Sequence, residues 1–232
     1  MKELTNIIKE ELFHNGADMA GIGGLSELPP NVRNNLPVGI SVAVKYPEEV
    51  IRGIASLQTL EYRDWYNKLN ERLDHMVALG AETLRHHGYT AIAQTRAHVG
   101  SGESEYNTIL PHKTVATRAG LGWIGKSALL VTDQYGSMIR ISSILTDAPL
   151  ETATPVNHSK CGDCMVCTNE CPAGAISGKM WEINLYRDEF FDPVKCRKTA
   201  QERAMQGFGG EMTICGKCIE VCPYTRRSWE LG

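Results

Sequence analysis

Cys161, Cys164, Cys167 and Cys171 follow the spacing C-x2-C-x2-C-x3-C, and Pro172 closes the run. Nearer the C-terminus Cys196, Cys215, Cys218 and Cys222 follow C-x18-C-x2-C-x3-C, closed by Pro223, so the same device recurs with its first member moved upstream. Runs of this kind wrap [4Fe–4S] clusters. A cubane needs four thiolates from different directions, so a tight loop supplies three and a distant residue completes the set. In two-cluster proteins the fourth cysteine of each run ligates the other cluster. The spacing therefore predicts one cluster on Cys161, Cys164, Cys167 and Cys222, and a second on Cys171, Cys196, Cys215 and Cys218.

Other uses of cysteine fit less well. Zinc sites are usually a pair, a gap and a second pair, not C-x2-C-x3-C-P cores. A disulfide framework belongs to short secreted chains. This sequence has 232 residues and opens Met1-Lys2-Glu3-Leu4, with an acidic residue where a secretory signal has its apolar stretch. Inert core cysteines would not all fall inside these motifs. All eight cysteines are used, which leaves no thiol for separate nucleophilic chemistry. No apolar run approaches a membrane span, and a cytoplasmic location suits oxygen-sensitive clusters. The net charge of -3 gives no broad basic footprint for nucleic acid.

A cluster module needs none of the chain before Cys161, so a separate unit must precede it, with residues 1–154 and 155–232 as the expected division. In the first part Leu4, Ile7, Ile8 and Leu12 have helical spacing, and Asn15-Gly16 stops the helix. Ala17 to Leu25 and Val38 to Val44 read as strands, the second a buried one. From Leu60 the set Tyr62, Trp65, Tyr66, Leu69, Leu73, Met76, Val77 and Leu84 keeps helical spacing to His86-His87-Gly88, which predicts a long core helix. The two histidines near its end complement the helix dipole. Thr90 to Thr95 is a further strand, and the alternation is that of an α/β unit.

Gly120-Leu121-Gly122-Trp123-Ile124-Gly125-Lys126-Ser127 matches both G-x-x-x-x-G-K-S and G-x-G-x-x-G. Either motif binds phosphate only where a buried strand delivers the loop and a helix follows it. Here Pro111 to Arg118 reads as a short polar helix, while Ala128 to Thr132 and Met138 to Leu145 read as strands. A nucleotide is therefore not expected, and Asp147 stands where a ribose-binding acid would be wanted by coincidence.

The string His112-Lys113-Thr114, then Arg118 to Lys126, Gly136-Ser137, Ile144-Leu145-Thr146-Asp147 and the cysteine run resembles epoxyqueuosine reductases and, more distantly, reductive dehalogenases. The likeness is clear from about Thr90 to Pro223 and only general before that. It implies an α/β (α+β), nitroreductase-like, cobalamin-binding core followed by a C-terminal ferredoxin-like module with two [4Fe–4S] clusters. On this likeness Gly122, Trp123, Ile124, Gly125, Lys126 and Ser137 line the cobalamin, Lys113 and Lys126 face its amides and phosphate, and Gly216 brings the second cluster close. Glycine would permit that approach because it has no Cβ. A tight turn explains each glycine equally well, and a core anchor explains Trp123. The implied reaction runs in single-electron steps: a ferredoxin- or flavodoxin-type donor feeds one cluster, the other passes electrons on, and cobalt reaches a nucleophilic Co(I) state.

A proton donor must complete such a reduction. Epoxyqueuosine reductases place an aspartate upstream of the Ala-Gly-Leu-Gly string, whereas Tyr106 stands at that count here and no aspartate occurs from Ala97 to Gly120. Tyr106 is one candidate, since reductive dehalogenases are similar in using a tyrosine; Glu103 and Glu105 are others, and all three are equally read as plain loop residues. The sequence ends at Gly232, whereas epoxyqueuosine reductases continue into a helical repeat region that helps hold tRNA. The expected substrate is therefore a small molecule and not tRNA. Two other readings stay open: an electron carrier that reduces a corrinoid on another protein, and a cobalamin-handling protein.

Overall fold

The protein is described here by a computed structural model over residues 1–98 and 110–230. Its elements in chain order are α1 (Lys2–His14), β1 (Met19–Gly24), β2 (Val38–Lys45), α2 (Glu48–Gly53), α3 (Leu60–His86), β3 (Ala91–Ala93), α4 (His112–Arg118), β4 (Trp123–Ile124), β5 (Leu130–Val131), β6 (Ile139–Thr146), α5 (Val166–Asn169), α6 (Pro193–Phe208), α7 (Lys217–Glu220) and α8 (Pro223–Ser228). They fall into two units, neither continuous in sequence. Met1–Val44, Leu69–Gly122 and Arg140–Val156 form the first; Lys45–Lys68, Trp123–Ile139 and Asn157–Gly232 form the second. No helix among the described residues is long and apolar enough to cross a membrane.

The first unit is built on a four-stranded sheet ordered β1-β2-β6-β3. β1 runs antiparallel to β2, and β3 antiparallel to β6, so the architecture is α+β. β2 is buried from Val38 to Val44, as its apolar run requires. α1 stops where its sequence says it should: the Asn15 amide donates to Glu11 O, and Gly16 takes φ +92°. α3 packs close because Gly80 has no side chain; a Cβ there would lie 2.8 Å from Ile144 Cδ1 of β6 and 3.5 Å from Leu12 Cδ2 of α1.

Helix α4 departs from its polar reading, for it buries Val115, Ala116, Thr117 and Arg118. The cause is the strand beneath it. A Cβ on Gly23 would collide with the Arg118 carbonyl carbon, and one on Gly21 would lie 2.8 Å from Ala119 O, so β1 admits the end of α4 against bare backbone. Arg118, 2% exposed, donates to Val156 O at 2.8 Å and pairs with Glu27 at 3.3 Å. The Gly120–Gly122 stretch thus leaves from a fixed point.

In the second unit β4 and β5 form an antiparallel hairpin, Trp123 opposite Val131 and Ile124 opposite Leu130. Its turn is closed by the Ala128 amide donating to Gly125 O at 2.9 Å. Lys126 and Ser127 therefore sit in a hairpin turn and open no helix, which removes the phosphate-loop reading. Helix α6 begins at Asp192, whose carboxylate accepts from the Val194 and Lys195 amides, and ends at Gly209 with φ +70°. Gln58 fixes it in place: its Nε2 donates to Ala200 O at 2.8 Å and to Ile214 O at 3.3 Å.

Candidate iron–sulfur centre

Helices α5, α6 and α7 and the turns that flank them and α8 carry all eight thiols. Cys161 and Cys164 lie in the loop ahead of α5, where the Cys164 amide donates to Cys161 O at 3.2 Å, and Cys167 lies within α5. Cys171 follows, its Sγ accepting the Ala175 amide at 3.4 Å. Cys196 rides on the first turns of α6, Cys215 precedes α7, Cys218 lies inside α7, and Cys222 stands immediately before α8.

Their electrostatics sort them into two sets. The Cys167 thiol is pushed up to about 11, first by burial and then by the charges of Cys222, Cys161 and Cys164. Cys222 is raised as well, again chiefly by burial; the Thr225 and Tyr224 amides and the Thr225 hydroxyl pull it back, and Cys161 pushes it up. Cys196 is pushed up to about 11 by burial and then by Cys171, Cys215 and Asp192. Burial raises Cys218 well above the ordinary thiol range, followed by Cys196, Cys215, Cys167 and Cys171. Cys222 thus crosses to the company of the first loop, and Cys171 to that of Cys196, Cys215 and Cys218. Thiols that resist ionisation together present a charge problem that iron resolves, because ligation draws the protons off. Among the described residues no three His, Cys, Asp or Glu side chains converge at single-ion spacing.

The residues around the first set hold it in shape. Trp123 is fully buried, its ring edge-on to Tyr224 at 4.8 Å, with Lys160 Nζ 5.0 Å from its centre. Tyr224 in turn donates its hydroxyl to Lys160 O at 3.2 Å, which ties the Cys222-Pro223-Tyr224 corner to the approach of Cys161. The Ser137 amide donates to Thr225 Oγ1 at 3.1 Å. Gly136 has φ +55°, and a Cβ on it would meet Thr225 Cα at 2.5 Å. A Cβ on Gly125 would lie 3.5 Å from Cys161 Sγ and 2.8 Å from Val131 Cγ2. Lys126, 4% exposed, donates from Nζ to Cys164 O at 3.0 Å and contacts Met165 Sδ at 3.4 Å. Beside the second set, Gly216 has φ +78° and would place a Cβ 2.8 Å from Tyr62 Oη.

Of the residues that the likeness assigns to a corrin, Lys113 and Gly122 lie in the first unit and Trp123, Ile124, Gly125, Lys126, Ser137 and Gly216 in the second. All but Lys113 are buried. In the second unit Trp123, Gly125, Lys126 and Ser137 lie against the segments that carry Cys161, Cys164 and Cys222. Tyr106, Glu103 and Glu105 lie outside the described residues. Sequence reasoning missed Thr225 and Tyr224, whose signal was available in Cys222-Pro223-Tyr224-Thr225: a short helix opened by proline, with donors that point back at the sulfur.

The family of the 4Fe-4S double cluster binding domain matches residues 160–225. An epoxyqueuosine reductase of Synechococcus sp. is 28% identical over 193 residues, which are 82% of this chain and 56% of that protein. One from Listeria monocytogenes is 36% identical over 118 residues, 48% of this chain and 29% of that protein. The chain thus spans between about a third and about half of the length of the curated relatives it matches. In fold it is similar to a reductive dehalogenase whose structure suggests a mechanism for B12-dependent dehalogenation, with TM-score 0.72 and 18% identity over 96% of this chain and 33% of that one. It is also similar to an epoxyqueuosine reductase in complex with an epoxyqueuosine-modified tRNA-Tyr stem loop, with TM-score 0.63 and 19% identity over 97% of this chain and 66% of that one.

Proposed function

We propose that this epoxyqueuosine reductase-like chain is an iron–sulfur oxidoreductase holding one [4Fe–4S] cluster on Cys161, Cys164, Cys167 and Cys222 and another on Cys171, Cys196, Cys215 and Cys218. Its electrons go to a corrinoid cobalt that reduces a small molecule. The observation that carries the reading is the exchange of fourth thiols, with Cys222 beside the first loop and Cys171 beside the second set, as a double-cluster domain requires.

When bound, the clusters supply storage and release of single electrons. The chain supplies burial, spacing and sulfur stabilisation: the Thr225 and Tyr224 amides ease ionisation of Cys222, and the Ala175 amide donates to Cys171 Sγ at 3.4 Å. Cys167 of the first set adds to the rise of the Cys218 thiol in the second. The donor would be a ferredoxin- or flavodoxin-type protein. Tyr106, or Glu103 or Glu105, would return the proton.

The corrinoid acceptor rests on the likeness and on the B12-dependent dehalogenation of a fold neighbour. Burial of Trp123 to Lys126, Ser137 and Gly216 favours a second reading, an electron carrier that reduces a corrinoid held elsewhere. One experiment separates the two. The full chain is purified anaerobically, reconstituted with iron and sulfide, and titrated with cobalamin under visible and electron paramagnetic resonance spectroscopy. Binding with an altered Co(II) signal supports the reductase and makes Tyr106→Phe turnover the next measurement. About eight irons per chain without cobalamin binding leaves the carrier, and a chain that holds no cubane overturns both.

A further inference from the structure

Lys126 is the residue that gave the Gly120–Ser127 string its phosphate-loop look, and the proposed function leaves it without a task. Its side chain is 4% exposed. Its partners are neutral: the Cys164 carbonyl at 3.0 Å and the Met165 thioether at 3.4 Å. Among the described residues no carboxylate pairs with it. An ammonium taken out of water needs a compensating negative charge, and a carbonyl with a thioether does not supply one.

The backbone on either side shows where that charge would be. Lys126 occupies the tight turn between β4 and β5, closed by the Ala128 amide on Gly125 O at 2.9 Å. The residue before it approaches Cys161, since a Cβ on Gly125 would lie 3.5 Å from that sulfur. The ammonium itself caps the carbonyl of Cys164, the next thiol of the same set. The turn therefore lies along the loop that presents Cys161, Cys164 and Cys167; beside the second set the lysines next to Cys196 and Cys218 are each paired with a carboxylate, Lys195 with Asp192 at 3.5 Å and Lys217 with Glu220 at 2.9 Å.

We infer that Lys126 is the buried counter-ion of the first [4Fe–4S] cluster and raises the reduction potential of that cluster selectively. The inference rests on the proposed ligand assignment. A cubane with four thiolates is anionic and gains one further negative charge on reduction, so a fixed positive charge beside it stabilises the reduced form more than the oxidised one. A unit charge several ångströms away, at an effective dielectric of about 20, changes the reduced-to-oxidised ratio by roughly ten- to fiftyfold. For a one-electron couple that is about 60 to 100 mV. The purpose is an order of filling: the two clusters of one module would not share a potential, and the first to accept an electron is the one beside Lys126.

The test is a potentiometric titration of the reconstituted full chain, followed by electron paramagnetic resonance, for wild type, Lys126→Met and Lys126→Arg. Methionine keeps length and removes charge; arginine keeps charge. The expected result is that one of two reduction waves falls by about 60 to 100 mV in Lys126→Met, the other stays, and Lys126→Arg keeps the wild-type pattern. If Lys126→Met retains the wild-type iron content and neither wave moves, the inference is overturned while the ligand assignment stands. Wild type without two cubanes would instead overturn the assignment. Should Lys126→Met lose iron from one cluster, retention in Lys126→Arg supports the counter-ion and loss in both overturns it in favour of a steric role.

Discussion

Gly136→Ala is the sharpest test of how the first thiol set is held together. Gly136 takes φ +55°, and a Cβ there would fall 2.5 Å from both Cα and Oγ1 of Thr225. A left-handed conformation costs an alanine about 1–2 kcal/mol, and forcing a methyl against backbone that cannot swing aside adds about 1–3 kcal/mol. The sum is about 2–5 kcal/mol, a large share of the stability of an ordinary domain. Gly209 provides the control within the same unit: it also has a positive φ, +70°, but a Cβ on it would meet nothing within 4 Å. Gly209→Ala therefore carries only the conformational cost of about 1–2 kcal/mol. At about 2–4 °C per kcal/mol for a chain of this size, the melting point should fall by about 4–20 °C in Gly136→Ala and about 2–8 °C in Gly209→Ala. The second readout is iron. Thr225 contributes its amide and hydroxyl to Cys222, so pushing it aside should cost Gly136→Ala much of one cluster while Gly209→Ala keeps about eight irons. Equal melting points and full iron in both variants would refute the claim that Gly136 exists to let Thr225 reach Cys222.

Three further outcomes follow from the same structure. Burial first, and Arg140 after it, lower His112 from 6.5 to about 4 against an opposing pull from Asp74. The imidazole is thus neutral in the fold, and stability present above pH 6.5 should be lost as pH falls towards 4, by up to about 3 kcal/mol, with urea midpoints of His112→Gln showing a flatter acid limb. In cluster-free protein Cys167 and Cys196 ionise near 11 in the fold against 9.0 unfolded; stability present below pH 9 should therefore fall between pH 9 and 11, a loss absent from the cluster-loaded protein, whose sulfurs are already thiolates. Glu220, 5% exposed, pairs with Lys217 at 2.9 Å and Arg226 at 2.5 Å, so Glu220→Gln should lower the urea midpoint by an amount worth about 1–3 kcal/mol and hasten iron loss to a chelator.

Which parts were legible in the sequence depends on how far along the chain the cause of each feature lies. The grouping of thiols was legible because three members of each set sit on short loops or helices, and the fourth follows from chain order alone. α1 and α3 were legible because their partners impose a simple period on them, and β2 because its apolar run is nearly continuous. α2 was missed, since six residues at Glu48–Gly53 are too few to display a helical period. α4 was misjudged as polar because the backbone of Arg118 and Ala119 lies on the glycine face of β1, and a strand face without side chains leaves no apolar complement to read. α3 hid something subtler: one continuous apolar stripe from Tyr62 to Leu84 serves the second unit up to Lys68 and the first from Leu69, so no break in the pattern marks the boundary. The glycine-rich string taught the same lesson at the site itself. Its composition correctly signals that backbone comes close to something, as do Gly136 and Gly216 outside it: Gly125 faces Cys161, Gly136 faces Thr225 and Gly216 faces Tyr62. Glycine records that an approach is close and carries no information about what approaches, which is why one string suited a phosphate, a corrin and a cysteine loop alike until the thiols around it were seen.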